Sequence, residues 1–199
     1  MQGESNIYIN AAATISPQRT FDGEFPAEVV NYPENVLNCQ VPDFKNYIPA
    51  AQLRRLSRML RIGLTTSLIC LKQAGLKSPD GIITATGYGF LEDTEKFLRE
   101  LIERGERQLT PTYFMQGTYN ALAGLIGLSI QCTGYNNTYL GKGYALGSAL
   151  DDAMLQIHEK PAQCLLVGGY DEAVNVQYKS VKREGHFKTE FVDSLELFG

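Results

Sequence analysis

The stretch "YNNTYLGKGYALGSALDDAMLQI", residues 135–157, decides the fold class of this chain. A β-prone segment is followed by a turn punctuated by Gly141 and Gly143, and then by a helical pattern. Such turns often hold a nucleophile, because the helix dipole and the free amide groups stabilise an anion at a helix N-terminus. Yet Gly141 to Ser148 contains no Cys, and the hydroxyl of Ser148 lies one turn into the helix. The sequence therefore predicts a turn of the kind that holds a nucleophile, but without a nucleophilic residue at its centre.

Outward from this stretch, β-prone and helical patterns alternate along the chain. We predict strands at about residues 6–16, in "DGIITATGYG", in "YNNTY" and in "QCLLVGGYDEA". We predict helices in "AAQLRRLSRMLRIGLTTSLICLKQAG", in "EDTEKFLRELIERG", after a loop in "TPTYFMQGTYNALAGLIGLSIQ", and in "ALGSALDDAMLQIHE". Residues 17–49 carry five prolines and are expected to form a long surface connection. Alternation of this kind predicts an α/β fold with a mostly parallel sheet and right-handed crossovers.

Two of the predicted helices carry more specific expectations. In the helix within residues 92–105, Asp93 or Thr94 is expected to cap the N-terminus and Gly105 to end it. Its inward residues would be Phe97, Leu98, Leu101 and Ile102. The helix before it ends at Gly75 and carries four arginines mostly off its apolar stripe, Arg54, Arg55, Arg58 and Arg61. These arginines form either a solvated helix face or a surface for an acidic partner.

Composition limits the class of protein. The chain has 199 residues, 44% of them apolar, and a net charge of −4. One globular domain of this size buries about 70% of its unfolded surface. A mildly acidic chain without a Lys/Arg run is not expected to bind nucleic acid. The longest mostly apolar stretch, "ALAGLIGLSI", is too short to span a bilayer, and "MQGESNIYIN" does not resemble a signal peptide. We therefore expect a soluble cytoplasmic protein.

The cysteines and histidines do not form a recognisable site. Cys39, Cys70, Cys132 and Cys164 are widely spaced, which predicts no metal site, no cofactor and mostly buried structural thiols. His158 is expected near the end of a helix, where a cation suits the dipole, and His186 lies in a polar tail. A solvent-exposed role is expected for both histidines.

Residues 120–169 resemble the N-terminal half of a β-ketoacyl-acyl-carrier-protein synthase, a condensing enzyme of the thiolase-like fold. Three landmarks carry the resemblance: "NALAG" from Asn120, "TGYNNTY" with Gly134 matching a family glycine, and "CLLVGG" ending at Gly169. Their spacings match the family pattern without a gap, and a weaker likeness extends back to about Ile48. The resemblance implies a thiolase-like half, with βαβ units on a mostly parallel sheet and helices on both faces.

In this register the nucleophilic Cys of the family falls on Gly143, counted both from Gly134 and from Gly169. Ketosynthases place a thiolate there to attack an acyl thioester, and glycine cannot do so. The resemblance places the catalytic histidines of the family in a C-terminal half, which we do not expect in these 199 residues. The resemblance thus implies a catalytically silent relative with no catalytic residue of its own. "GYNNTY", with Gly143–Tyr144 replacing Cys–Ser, is also similar to ketosynthase-like proteins of aryl polyene and flexirubin-type pathways, some of which act as chain-length-factor-like partners.

The resemblance also implies a partner. Family members are dimers that pair through an interface strand, here Tyr135, Asn136, Asn137, Thr138 and Tyr139. Each subunit also contributes side chains to the acyl tunnel of its partner, and Tyr113, with Phe114 and Met115 beside it, matches that position. These three residues either limit the length of the acyl chain or simply pack in the core. The expected partner is an active ketosynthase, or a second copy of this chain, with an acyl carrier protein as a further candidate.

Two alternatives stay open. The chain could be an active condensing enzyme or acyltransferase that uses another residue, with Cys132 or Ser148 as candidates, or a structural half-domain without a biosynthetic role. We divide it into a ketosynthase-like domain at 1–177 and a polar, weakly patterned tail at 178–199, which could belong to an incomplete final element. The helices "NALAGLIGLSI" and "ALGSALDDAML" are expected to expose apolar faces that an oligomer would cover.

Overall fold

A computed structural model describes residues 6–23, 26, 28–33 and 36–184 of the chain. Within these residues three parallel strands form one sheet in the order β2–β1–β3: β1 is Gly81–Thr86, β2 is Tyr135–Leu140 and β3 is Leu165–Gly169. The helices are α1 Ala50–Leu53, α2 Arg58–Gln73, α3 Leu91–Glu103, α4 Pro111–Gln116, α5 Ala121–Ile130, α6 Ala145–Glu159 and α7 Asn175–Arg183. Short 3₁₀ turns lie at Phe44–Asn46 and Lys142–Tyr144. The predicted α/β class with a parallel sheet is confirmed.

The central strand β1 is buried on both faces, which explains its continuous apolar run. Ile82 packs in a core with residues of α2 and α5, including Leu64 and Ile126. Ile83 and Ala85 point the other way and pack against three alanines of α6, Ala145, Ala149 and Ala153. The sheet is therefore the middle of three layers, with α2 and α5 on one side and α6 on the other.

Two glycines permit close approaches that build these layers. A Cβ on Gly63 of α2 would lie 2.5 Å from a methyl carbon of Leu122 in α5, so these helices pack at this glycine. A Cβ on Gly134 would lie 1.8 Å from the carbonyl oxygen of Asp80. The entry of the chain into β2 therefore requires glycine at position 134.

The predicted strand at residues 6–16 is wrong for the part that the structure describes. These residues carry no strand, although the segment contacts the body of the fold at Cys70 and Cys164. The Cys70 thiol donates to the Ala11 carbonyl at 3.7 Å, and the Asn10 amide donates to Cys164 Sγ at 3.9 Å. Contacts through thiols are not ladder hydrogen bonds, so the β-prone pattern does not produce a strand here.

The helix predicted from residue 50 to Gly75 is interrupted between α1 and α2. Gln116 of α4 explains the break, because its side chain accepts a hydrogen bond from the Ser57 amide at 3.0 Å and donates one to the Arg55 carbonyl. Gly75 ends α2 as predicted, with φ of 69° and a hydrogen bond from the Leu76 amide to the Leu71 carbonyl.

The third helix begins earlier than predicted. It starts at Leu91, because the Glu172 carboxylate accepts a hydrogen bond from the Glu92 amide at 2.8 Å and so satisfies the first turn. Asp93 is therefore not a cap and is only 2% exposed. Burial raises the pKa of both Asp93 and Glu172. Gly105 ends the helix as predicted, with φ of 56°.

The apolar face of α3 also differs from the prediction. Phe97 and Leu101 are half-buried, but Leu98 is 50% exposed and Ile102 is 78% exposed. The predicted loop before residue 120 contains the short helix α4, which begins with Pro111 at a position where proline suits a first turn.

Helix α7 crosses the predicted domain boundary at residues 177 and 178, and residues 185–199 lie outside the described part of the chain. The division at 177 stays a prediction. Within the described residues, no helix has the length and apolarity needed to cross a membrane.

Candidate functional site

The candidate site is the turn between β2 and α6, at the carboxyl end of the parallel strands. The Gly141 amide donates to the Thr86 carbonyl at 3.3 Å, and the Lys142 amide donates to the Gly87 carbonyl at 3.2 Å. A further hydrogen bond from Tyr144 to Gly141, 3.0 Å long, closes the turn. The strained residue is Lys142, with φ of 49°. The turn is thus held by the loop after β1 and leads directly into α6.

Gly143 stands in this turn with open space around it. It is exposed, has no left-handed φ, and a Cβ built on it would meet no atom within 4 Å. The backbone therefore does not require glycine at position 143. Any side chain placed there would project into space beside the N-terminus of α6.

No residue with nucleophilic chemistry replaces the missing thiol in the described residues. Lys142 is exposed, and Ser148 Oγ donates to the Tyr144 carbonyl at 3.3 Å. Cys132 lies before β2, where its thiol donates to the Pro79 carbonyl at 3.3 Å. Because a strand rises about 3.3 Å per residue, the six residues of β2 separate Cys132 from the turn by roughly 20 Å. Among the residues that the structure describes, neither Cys132 nor Ser148 has a base placed to activate it for attack.

The described histidine, His158, does not supply a base for the turn either. His158 is exposed in the last turn of α6, roughly 20 Å from the first turn of this 15-residue helix. His186 lies outside the described residues. Among the residues that the structure describes, no imidazole adjoins Gly143, and no group of three or more side chains could hold a metal ion.

The loop after β1 lies beside the turn, and a carboxylate already occupies its amides. Asp171 Oδ1 accepts hydrogen bonds from the Gly87 amide at 2.9 Å, the Tyr88 amide at 3.2 Å and the Thr86 hydroxyl at 3.0 Å. These donors are therefore not available to an external anion. Asp171 was not among the predicted site residues, although an acid two positions after the Gly–Gly end of β3 was a visible signal.

The side chains of the predicted interface strand are held within the chain. Tyr135 donates to Asp152 at 2.9 Å, Asn136 donates to the Ala123 carbonyl at 3.0 Å, and the hydroxyls of Thr138 and Thr84 lie 2.8 Å apart. Asn137 donates to the Tyr135 hydroxyl at 3.2 Å, and Tyr139 is half-buried beside Ala85 of β1. Burial, with Asp152 as acceptor, raises the pKa of Tyr135.

The backbone of β2, unlike its side chains, is hydrogen-bonded to the rest of the described chain along one edge only. Within the described part of the chain β2 pairs only with β1, so its other edge presents unpaired amide and carbonyl groups. Strand β2 is therefore fixed in orientation by its side chains while its outer edge is open.

The residues predicted to face a partner lie on α4, and none of the three is buried. Phe114 and Met115 are each 60% exposed, whereas Tyr113 is half-buried with the Lys96 ammonium 5.9 Å from its ring centroid. The rings of Phe114 and Phe97 have centroids 5.4 Å apart. Of the two alternatives, packing of all three in the core is not what the structure shows.

Of the two helices that the sequence predicts to expose apolar faces, α6 exposes a stripe and α5 exposes one large apolar side chain. On α6, a stripe of four large side chains is 43–63% exposed: Leu146, Leu150, Met154 and Leu155. On α5, Leu128 is 83% exposed. The described residues do not show what covers these faces.

Comparison with solved structures shows where this fold recurs. A chain of "Ketosynthase (ApeO) in Complex with its Chain Length Factor (ApeC) from Xenorhabdus doucetiae" matches with 18% identity and a TM-score of 0.64, covering 84% of this chain and 68% of that one. The ishigamide ketosynthase/chain length factor matches with 18% identity and a TM-score of 0.61, over 74% of this chain and 42% of that one.

A third structure is AntDE:AntF, a type II PKS acyl-carrier protein in complex with its ketosynthase bound to the hexaketide. It matches with 18% identity and a TM-score of 0.64, over 73% of this chain and 44% of that one. The chain thus spans less than half the length of the second and third relatives. At this identity the matches establish a shared fold.

A search of curated proteins gave no match. The family model described as "Beta-ketoacyl synthase, N-terminal domain" matches residues 32–192, which include β1 to β3 and the turn at Gly143. A match over most of the chain, together with the fold, identifies the family. The chain belongs to the β-ketoacyl synthase N-terminal domain family, as its resemblance implied.

Proposed function

We propose that this chain is a catalytically silent β-ketoacyl synthase-like subunit that binds an active ketosynthase and helps to set acyl or polyene chain length. The observation that carries the proposal is the turn at Gly143. It leads directly into a helix N-terminus and has room for a side chain, yet it presents no thiol. A condensing enzyme needs an acyl-accepting nucleophile and a group that stabilises the enolate, and the described residues offer neither at this turn.

The descriptions of the similar structures support a ketosynthase as the partner. Two of them name a ketosynthase together with a chain length factor, and a third names a ketosynthase with its acyl-carrier protein. We propose that β2 pairs across a two-fold axis with the corresponding strand of the ketosynthase, because its outer edge is open in the described residues. A homodimer is the alternative assembly.

An acyl carrier protein is the second partner that we propose. Arg54, Arg55 and Arg58 are exposed near the start of α2, and they form no ion pair with any described residue. Guanidinium groups without an ion pair can attract an acidic partner protein. At moderate salt this electrostatic attraction acts over a distance of about 10 Å.

The proposed control of chain length comes from α4. Phe114 and Met115 are exposed, and Gln116 anchors the end of this helix to the junction of α1 and α2. Bulky side chains on a fixed support would act as a stop in the tunnel of a partner, where an added two-carbon unit meets a ring. Tyr113, half-buried beside Phe114, would contribute to the same wall.

Catalytic silence can be tested by treating the chain with an electrophilic acyl-thioester analogue and mapping adducts by peptide mass spectrometry. We expect no adduct at residues 141–148 of the wild type. The Gly143→Cys variant is the positive control, because the turn has room for its side chain and a helix N-terminus lowers the pKa of a thiol. A stoichiometric adduct on Cys132 or Ser148 of the wild type would instead support an active enzyme.

The chain-length role can be tested in a complex reconstituted with the ketosynthase that co-purifies from the native host. We expect Tyr113→Ala to shift the products to longer chains, because the variant removes a ring from the proposed stop. Tyr8→Ala, which removes an exposed ring from the N-terminal segment, is the matched control and should leave product length unchanged. Unchanged product length in the Tyr113→Ala complex would contradict the proposed role, and recovery of a homodimer without a ketosynthase would contradict the proposed partner.

A further inference from the structure

A groove of about 1030 Å³ runs along the outer edge of β3, at the opposite side of the sheet from β2. Every residue of β3 lines this groove. Two helices supply apolar walls, with Met59 and Ile62 of α2 on one face of the sheet and Leu150 and Met154 of α6 on the other. The N-terminal segment 7–15 lines the same groove. The groove therefore follows one strand edge between two helices.

The backbone of β3 is hydrogen-bonded on one side only within the described residues. The Cys164 carbonyl accepts a hydrogen bond of 2.7 Å from the residue before β1, and the Tyr170 amide donates one of 3.0 Å to β1. Residues of even number thus face β1. Because backbone groups alternate in direction along a strand, Leu165, Val167 and Gly169 direct their amides and carbonyls into the groove.

This row of backbone groups determines the kind of ligand that fits. Amides and carbonyls beside apolar walls need hydrogen-bond partners. Another extended backbone supplies donors and acceptors at the spacing of a strand edge, as in proteins that bind a peptide by adding a strand. A segment as long as β3 would extend about 17 Å. Helices on both faces require apolar or small side chains on both faces of that segment, as in β1.

The N-terminal segment is consistent with a strand at this position. The alternating pattern of residues 6–16 predicts a strand, but no backbone hydrogen bond joins these residues to β3 in the described part of the chain. Their contact with the start of β3 is a side-chain contact from Asn10 to Cys164 Sγ, 3.9 Å long. An added strand would have β3 on one side and this segment on the other.

The walls of the groove also decide between a second copy of this chain and a different partner. The open edges of a second copy, β2 and β3, belong to a sheet that carries helices on both faces. Those helices would collide with α2 and α6 before the two strand edges could meet. An extended segment from a loop or a terminus carries no such helices and can enter the groove.

We propose that the outer edge of β3 binds an extended, uncharged segment of a partner protein as an added strand of the sheet. The backbone groups of Leu165, Val167 and Gly169 hold the segment, and the walls from α2 and α6 select apolar or small side chains. This surface lies at the opposite edge of the sheet from β2, and the inference does not rest on the proposed function.

A peptide with the sequence of the buried strand β1, Gly81–Thr86, with one lysine added at each end for solubility, is a probe of this chemistry. Hydrogen exchange of the full chain, followed by NMR, resolves single amides. We expect the amides of Leu165, Val167 and Gly169 to exchange several-fold more slowly with the peptide in excess. The matched control is the same peptide N-methylated at every backbone amide, which keeps the side chains, loses the donors and should have no effect.

Three results would overturn the proposal. No slowing with the peptide, or equal slowing with the methylated peptide, would show that β3 does not add a strand. Outward amides of β3 that already exchange slowly in the free chain would show that another part of the chain pairs with this edge. Slowing that increases with protein concentration, without peptide, would assign the edge to a second copy.

A variant of the protein gives an independent test. Val167→Pro removes an outward amide and leaves the hydrogen bonds to β1 in place, and proline is tolerated on an edge strand. We expect several-fold weaker peptide binding than in Val167→Ala, which loses most of the side chain and keeps the amide. Thermal denaturation would verify that both variants fold, and equal peptide binding by the two would contradict the proposal.

Discussion

The two sides of the sheet differ in how completely they are packed. Eight of the sixteen residues of α2 are buried, and α5 packs beside it. On the other side only four of the fifteen residues of α6 are buried, three of them alanines, while a stripe of leucine and methionine faces outward. The first side, which we call the finished side, is a core in which α2 and α5 pack against the sheet and against each other. The second side, which we call the open side, is packed on the inner face of α6 and exposes apolar side chains on the outer face of this helix.

The largest effect that tests this difference is expected at the centre of the finished side. Ile82→Ala should lower the free energy of unfolding by about 2–5 kcal/mol, because Ile82 is 0% exposed and its loss leaves a cavity between β1, α2 and α5. Leu150→Ala on α6 is the matched control, 48% exposed, with an expected change below about 1 kcal/mol. Urea denaturation of the isolated chain measures both, and equal losses would refute the asymmetry.

A smaller effect is expected where two helices meet on the finished side. Gly63→Ala should cost about 1–3 kcal/mol, because the new methyl group would lie 2.5 Å from buried Leu122 and the core must shift to admit it. Thermal denaturation would detect the loss. If the variant melts like the wild type, α2 and α5 are not in close contact at this point.

A Gly→Ala substitution on the open side should raise the free energy of unfolding, whereas Gly63→Ala should lower it. Gly147 lies within α6, and a Cβ on it would meet no atom within 4 Å. Gly147→Ala should therefore stabilise the isolated chain by about 0.5–1 kcal/mol through helix propensity. The informative comparison is with the assembled state. A variant that is more stable alone but binds the proposed ketosynthase partner less tightly would place position 147 in a contact.

The smallest effect is expected from a buried carboxyl group near the finished side. Burial raises the pKa of Asp93, which lies near Ser57, Glu92 and Lys96 and whose Oδ2 has no hydrogen-bond partner among the described residues. A raised pKa means that the folded state holds the proton more firmly than the unfolded state. The stability from this group is therefore present at acid pH and is lost as the pH rises through the raised pKa.

Asp93→Asn removes this titration. The variant should be more stable than the wild type at pH 7, and the difference should shrink as the pH falls toward 4. Denaturation at a series of pH values would measure it. A difference that is constant with pH would show that Asp93 does not titrate with a raised pKa.

The comparison also explains which elements could be predicted from sequence. Helix α6 begins and ends within a residue of its predicted bounds, because a glycine-rich turn precedes it and a regular apolar pattern fills it. Strand β1 was recognisable from its apolar run. In both elements the local pattern and the final packing agree.

The misses arise from contacts between distant parts of the chain. Gln116 interrupts the helix before α2 from 59 residues away, and Glu172 starts α3 from 80 residues away. Neither effect leaves a mark in the local sequence. The exposed Leu98 and Ile102 follow the helical period correctly, but a period shows that a face is apolar and does not identify the segment that covers it.

At the candidate site, the position of the turn was predictable and its surroundings were not. Counting from two landmarks gave Gly143, and the structure places that residue between β2 and α6. Asp171 accepts hydrogen bonds from the amides of the loop after β1 only because the carboxyl ends of β1 and β3 lie side by side in the sheet. That meeting depends on strand order, which a single sequence does not reveal.

The open space beside Gly143 has an evolutionary consequence. Glycine and cysteine codons can differ by one base, and the backbone at this turn would admit the thiol without rearrangement. A single mutation could therefore introduce a thiol at residue 143 at almost no structural cost. Such a thiol would have no imidazole near it in the described part of the chain.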